Sequence, residues 1–210
     1  IRFANLAAGV VVGKIGSSTT SLNEIIEYDS SINKSSSNQH IRSKSEIIYI
    51  SSNFRLEDKK IVFTNGCFDL VHSGHVKYLE KAKSFGDILI VGVNSDRSVS
   101  ALKGKDRPIN TEKDRAYILA ALEVVDYVVI FDEDTPLDLI KSIKPNVLVK
   151  GGDYKGKKVV GENLVEELKI VEYIKNKSTS NIINQIQNVN SNKWKKLYQL
   201  NLVNISNHLS

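Results

Sequence analysis

The chain places two histidines, His72 and His75, three residues apart in the stretch Asn65-Gly66-Cys67-Phe68-Asp69-Leu70-Val71-His72-Ser73-Gly74-His75. At the start of a helix that spacing lets both imidazoles face one ligand. Gly66 permits a tight turn before them. Gly74 has no side chain, so an anion can approach the backbone where a helix N-terminus offers N–H donors and partial positive charge. An imidazole beside an anion is either protonated or donates a hydrogen bond. Together these residues describe a phosphate-binding site. Two other chemistries fit less well. A structural zinc site needs paired Cys and His ligands, which Cys67, Asp69 and the two histidines do not supply. Cys67 as a nucleophile lacks a dedicated base and is expected to pack under the turn.

Further clusters extend the same chemistry. Lys103 and Lys105, with Gly104 between them, can put two ammonium groups on a triphosphate from a loop free to close. The plain alternative is a solvated basic loop. Arg115, near the start of a helix, is either a phosphate clamp or a surface residue. Ser178 and Thr179 suit an N-cap, and the N–H groups exposed there can also hold phosphates. Gly151, Gly152 and Asp153 follow an apolar run, where bare backbone can approach a flat base. Asn94 and Asp96 either bind sugar hydroxyls or sit in a turn.

These residues need a frame. Four short, β-branched apolar runs, 61–64, 88–94, 125–131 and 147–150, suit strands covered on both faces, and 168–174 makes a fifth. Helix-like stretches at 75–84, 111–122, 136–143 and 162–167 alternate with them, and another helix starts near Thr179. The alternation predicts an α/β fold with a Rossmann-like, doubly wound, parallel five-stranded sheet. Ligands of such sheets bind beyond the C-terminal ends of the strands, where the clusters above fall. Residues 1–13 read as a buried helix, followed by a short helix over 21–28 with Ser21 as N-cap and Glu24 three residues on. Ser, Asn and Lys dominate 29–45, which reads as linker, and 47–50 is a short apolar patch suited to a strand or a docking contact. The tail over 187–210 reads as loosely ordered.

Composition narrows the class. The net charge is +5, yet residues 60–185 carry 19 basic and 18 acidic side chains. A nucleic-acid-binding domain would concentrate Lys and Arg on its folded surface, so nucleic acid is not an expected partner. No apolar run is long enough to span a bilayer, and no membrane partner is expected. The single Cys fits a reducing cytosol, so a cytoplasmic location is expected. The chain begins with Ile and contains no Met, so it is expected to be a piece of something longer or a processed chain.

Gly66-Cys67-Phe68-Asp69 followed by His72-Ser73-Gly74-His75 resembles the signature of the HxGH nucleotidyltransferases. Those enzymes move a nucleoside monophosphate from a nucleoside triphosphate to a phosphorylated small molecule. The resemblance implies that His72 and His75, with Lys103 and Lys105, stabilise the transition state. It implies ATP contacts from Asn65, Gly66, Phe68, Asp69, Gly74, Arg115, Gly151, Gly152, Asp153, Ser178 and Thr179, and sugar-phosphate contacts from Asn94 and Asp96. The clusters around Asn94, Lys103, Arg115, Lys150-Gly151-Gly152-Asp153-Tyr154 and Ser178-Thr179 narrow the resemblance to the adenylyltransferase domain of bacterial bifunctional heptose-7-phosphate kinase/heptose-1-phosphate adenylyltransferases. Asn176 stands where that family usually has Gly, and Ser180 where it often has Thr.

Ala4-Asn5-Leu6-Ala7-Ala8-Gly9-Val10 resembles the end of the ribokinase-like sugar kinase domain that precedes it there. The implied organisation is a kinase remnant over 1–28, a linker over 29–58, the nucleotidyltransferase domain over 59–186 and a basic tail over 187–210. The implied reaction joins ATP and D-glycero-β-D-manno-heptose 1-phosphate, a sugar 1-phosphate, into ADP-heptose and pyrophosphate for lipopolysaccharide core synthesis. Mg2+ accompanies ATP, no protein-held metal is implied, and a homodimer is compatible. Kinase activity is not expected of this segment. The rivals are a related transferase using glycerol 3-phosphate, phosphoethanolamine or FMN as acceptor or CTP as donor, and a non-catalytic nucleotide-binding module.

Overall fold

The computed structural model describes residues 2–14, 19–22, 24–25, 37–172, 179, 182–183 and 185. Five strands, β1 (Ile61–Gly66), β2 (Ile88–Asn94), β3 (Tyr127–Phe131), β4 (Val147–Gly151) and β5 (Glu167–Val171), form one sheet in the order β3-β2-β1-β4-β5. Every pairing is parallel, with Phe63 opposite Ile90 on one side and Leu148 on the other. The expected doubly wound five-stranded sheet is therefore present. Its winding reverses between β1 and β4, which are neighbours in space although two strands separate them in sequence.

Side chains alternate across the sheet. Val62, Leu89, Val91, Val128 and Val147 face Leu79, Ala82, Ala116 and Leu119. The covering helices on that side are α3 (Ser73–Lys83) and α5 (Glu112–Ala120). Ile61, Phe63, Ile90, Val129 and Leu148 face Ile47, Leu139, Ile140 and Ile143. Those come from α2 (Lys44–Leu56) and α6 (Leu137–Ile143). With both faces covered, continuous apolar strands are the expected solution.

The stretch expected as linker is folded from residue 37 onward. Ser43 caps α2 in a capping box with Glu46. Ile47, from the short apolar patch, is fully buried within that helix and is neither strand nor loose contact. Ahead of it, Arg42 N–H donates to the Val128 carbonyl at 2.8 Å, and Ile41 bridges Val128 in parallel. This strap covers the open edge of β3.

Three other expectations change. A helix α4 (Asp96–Lys103), capped by Ser95, occupies what read as turn and loop. Residues 162–167 form only a short 3-10 turn, Glu162–Leu164, before β5 begins. The helix α1 (Arg2–Val12) exists, but none of its described side chains is buried, with Phe3 and Val12 well exposed. It contributes nothing to either apolar cluster of the sheet. Ser21 and Glu24 do form the expected reciprocal cap. Ser178 and the tail over 187–210 lie outside the described residues, while Thr179, Ile182, Ile183 and Gln185 are helical. Among the described residues no helix is long and apolar enough to cross a membrane.

If α2 is an integral layer, Ile47→Ala will cost about 2–5 kcal/mol of stability in denaturant unfolding. Tyr49→Ala, on the exposed side of the same helix, will stay within about 0.5 kcal/mol. Equal, negligible effects at both positions would return this stretch to a linker.

Candidate active site

The reversal of winding leaves a crevice above the C-terminal ends of β1 and β4, where ligands of such sheets bind. A cavity of about 460 Å³ opens there. Asn65 and Gly66 enter it from β1, and Lys150 and Gly151 from β4. Cys67, Phe68, Asp69, His75, Asn94, Lys103, Asp153 and Thr179 also line it.

The turn after β1 is built around its strained residue. Phe68 takes φ 46° in the left-handed region, an unfavourable place for a bulky side chain, whereas Gly66 does not. Gly66 is needed for space, since a Cβ there would stand 3.1 Å from the Phe68 ring. The same ring meets His75 edge-on, with centroids 5.3 Å apart.

His72 caps α3. Its Nδ1 accepts the Gly74 N–H at 3.1 Å, so the neutral ring carries its proton on Nε2. That N–H, expected to be open to phosphate, is taken by the histidine. His75 N–H likewise donates to the His72 carbonyl at 2.8 Å. These two N–H groups of the helix start are therefore already occupied within the chain. The two rings stack with centroids 4.0 Å apart. His75 lines the cavity, and His72 supports it from behind.

His75 Nδ1 is buried without a partner. Burial first, then the neighbouring His72 and the Lys103 ammonium, pull its pKa down to about 4, while the Leu70 carbonyl works in the other direction. Lys103 ends α4, and Gly104 breaks the helix at φ 99°, a conformation reserved for Gly. Lys105 is exposed and lies off the cavity wall.

Two buried charges hold these loops in place. Asp69, 2% exposed, accepts Arg107 Nε at 2.5 Å, Ile109 N–H at 2.8 Å and Asn110 N–H at 3.0 Å. Burial alone would raise its carboxyl. The Asn110, Arg107 and Ile109 donors more than offset that and hold it below the usual carboxylate range. Arg115 is fully buried. Its guanidinium donates to the Cys67 carbonyl at 2.6 Å, the Asn110 carbonyl at 3.0 Å and the Asp96 carboxylate at 2.7 Å. It is thus a brace and not an open clamp, and Asp96 serves that brace away from the cavity. Gly74 and Gly152 also lie off the cavity wall.

Some lining residues carried little sequence signal. Arg107 presents a buried Nη2 with no partner. Lys150, 5% exposed, donates to Asn65 Oδ1 and sits 5.2 Å from the centre of the Tyr154 ring. Burial lowers its pKa to about 8, opposed by Asp153. Asp134, Thr135 and Pro136 complete one wall. Among the described residues no group of three or more His, Cys, Asp or Glu could hold a metal ion.

A parallel, doubly wound sheet with a His-Ser-Gly-His turn following the strand beside its switch point is the architecture expected of the nucleotidyltransferase class. Comparison with known proteins agrees. The chain belongs to the cytidylyltransferase-like family, whose model matches residues 63–203. A protein of Aliarcobacter butzleri described as bifunctional protein HldE is 63% identical over 187 residues, 89% of this chain and 39% of that protein. Its namesake from Sulfurimonas denitrificans is 60% identical over 186 residues, again 89% and 39%. The chain thus spans about two fifths of the length of these relatives. The solved lipopolysaccharide core biosynthesis protein of Thermoplasma volcanium aligns at 29% identity, covering 57% of this chain and 99% of its own, with a TM-score of 0.46.

The depressed His75 has a consequence for titration. An unfolded His at the ordinary 6.5 binds more protons than the folded one between pH 6.5 and about 4. The stability this neutral ring contributes is complete above that window and is lost as pH falls through it. NMR titration of the free protein will find His75 protonating near pH 4, and added ATP will move it upward. Ordinary titration unaffected by nucleotide would contradict the site's electrostatics.

Proposed function

We propose that the cavity transfers the adenylyl group of ATP to D-glycero-β-D-manno-heptose 1-phosphate, giving ADP-heptose and pyrophosphate for lipopolysaccharide core synthesis. His75 on the wall of the switch-point crevice, with His72 stacked on it at the head of α3, is the observation that carries this reading. High identity to proteins described as bifunctional HldE supports the acceptor.

In this mechanism a phosphate oxygen of the sugar attacks the α-phosphorus in line. The new P–O bond forms as the bond from the α-phosphorus to the bridging oxygen of the β-phosphate breaks, and that electron pair leaves with pyrophosphate. A phosphate dianion needs no general base, and no protein nucleophile takes part. The chain's work is positioning and charge neutralisation. His72 Nε2–H and the His75 imidazole donate to the phosphate oxygens, and Lys103 adds a mobile charge from the rim. Lys105, two residues on, joins it when the Gly104 hinge closes. Arg107, whose Nη2 is buried without a partner, lines the same cavity and adds a further cation there. Thr179, on the cavity wall, and Ser178 next to it in sequence are assigned to the leaving pyrophosphate. Gly151 offers backbone to adenine. A Mg2+ ion would enter with ATP, with Asp134 and Asp153 the carboxylates on the cavity wall within its reach. That ion supplies charge neutralisation.

The segment over 1–28 is the end of a sugar kinase domain held in cis. The uncovered apolar side chains of α1, Phe3 and Val12, support that placement. Kinase activity does not belong to this segment, and the enzyme works in the bacterial cytoplasm.

Pyrophosphate release will be seen with ATP and heptose 1-phosphate, and weakly or not at all with glycerol 3-phosphate, phosphoethanolamine, FMN or CTP. His72→Ala or His75→Ala will lower turnover by roughly 10²–10⁴-fold, with the fold kept and, for His72→Ala, a stability loss of only about 1 kcal/mol from the lost α3 cap. Near-normal turnover in either variant, or ATP binding without release for any acceptor, would overturn the reading.

A further inference from the structure

Lys150 is a cation in a place where cations are costly. It stands one residue before the end of a buried strand, it is 5% exposed, it lines the cavity, and its ammonium gives one hydrogen bond to Asn65 Oδ1. An ammonium has three donors, so that bond leaves capacity for a ligand. Burial of a charge requires a partner or a use. The triphosphate site described above gives Lys150 no role.

Its position supplies one. His72, His75 and Lys103 rise from the loops that follow β1 and β2, whereas Lys150 stands on β4, across the line where the winding reverses. The cavity is lined by two lysines from different elements, Lys103 at the end of α4 and Lys150 near the end of β4. In-line transfer needs two anion sites on opposite sides of the α-phosphorus, one for the leaving pyrophosphate and one for the attacking phosphate. The histidine side, with Lys103 and Arg107, has several donors for a triphosphate. A single ammonium matches a single monoester phosphate.

We propose that Lys150 holds the attacking phosphate of the acceptor, facing the histidine pair across the crevice. The acceptor is then a phosphate monoester whose phosphate is seated near the end of β4. This rests on the nucleotidyl-transfer reading of the same cavity. It extends that reading by assigning the acceptor to the β4 side.

The test compares Lys150→Met, Lys150→Gln and Lys150→Arg with the parent chain. Pyrophosphate release gives KM for heptose 1-phosphate and for ATP, and calorimetry gives the Kd of Mg-ATP. Lys150→Met and Lys150→Gln will raise the acceptor KM by roughly 10–100-fold, the worth of one charge-assisted hydrogen bond. Mg-ATP binding will stay within about twofold, which also certifies the fold, and Lys150→Arg will recover part of the acceptor affinity. An acceptor KM within twofold of the parent, or an equal loss of Mg-ATP affinity, would overturn the assignment. If the parent releases no pyrophosphate, the transfer reading fails separately. Calorimetry of mannose 1-phosphate binding to protein loaded with a non-hydrolysable ATP analogue then decides. Loss of that binding in Lys150→Gln supports the subsite, and parent-like binding or no binding to the parent removes it.

Discussion

Between β1 and β4 the chain changes the direction in which it adds strands, and the connections on either side of that line must diverge. Divergence opens a crevice that no side chain of the sheet can fill, at a place where both strands end in polar residues. Everything chemical in this protein is arranged around that gap. The turn after β1 delivers the histidines to one bank, and the end of β4 delivers Lys150 to the other. The remaining loops are held by buried polar groups. Asp69 fixes the segment after α4, and Arg115 ties the turn after β1 to the starts of α4 and α5.

This design explains how a nearly neutral domain can handle highly charged ligands. Residues 60–185 have 19 basic and 18 acidic side chains, so no basic surface gathers anions. Capacity comes from placement instead. One imidazole is kept uncharged by burial, one is locked by its own cap, and one lysine is sunk beside an aromatic ring. Groups held part-way from their ordinary charge state have room to respond when phosphate arrives. Desolvation makes the same groups costly in the empty protein, and the Asn65 contact of Lys150 is the compensation the fold provides.

The sheet was legible because its signal is strong. Continuous β-branched runs such as Ile88–Asn94 have one stable environment, a strand covered on both faces. The histidine turn was legible for the same reason, as its residue types are rare in any other local setting. Three features were hidden. α2 lies behind a Ser- and Asn-rich stretch, and only Ile47 and Ser51 are buried along it, too few for a periodic stripe. α4 begins at Asn94-Ser95-Asp96, residues that cap a helix and make a turn equally well. The roles of Arg115 and Lys150 depend on what surrounds the guanidinium and the ammonium once distant strands meet. Sequence spacing holds nothing that separates a buried brace from an open clamp, or a strand-end lysine from a ligand-binding one.

On the proposed reading a triphosphate and an acceptor phosphate occupy opposite banks of one switch-point crevice. A crystal structure of the chain with a non-hydrolysable ATP analogue tests it most directly. The β- and γ-phosphates are predicted to lie against the His72 and His75 imidazoles and Lys103, with the α-phosphorus facing Lys150 across open space. Phosphates seated on Lys150 with the base beside the histidines, or a nucleotide bound away from the ends of β1 and β4, would contradict it.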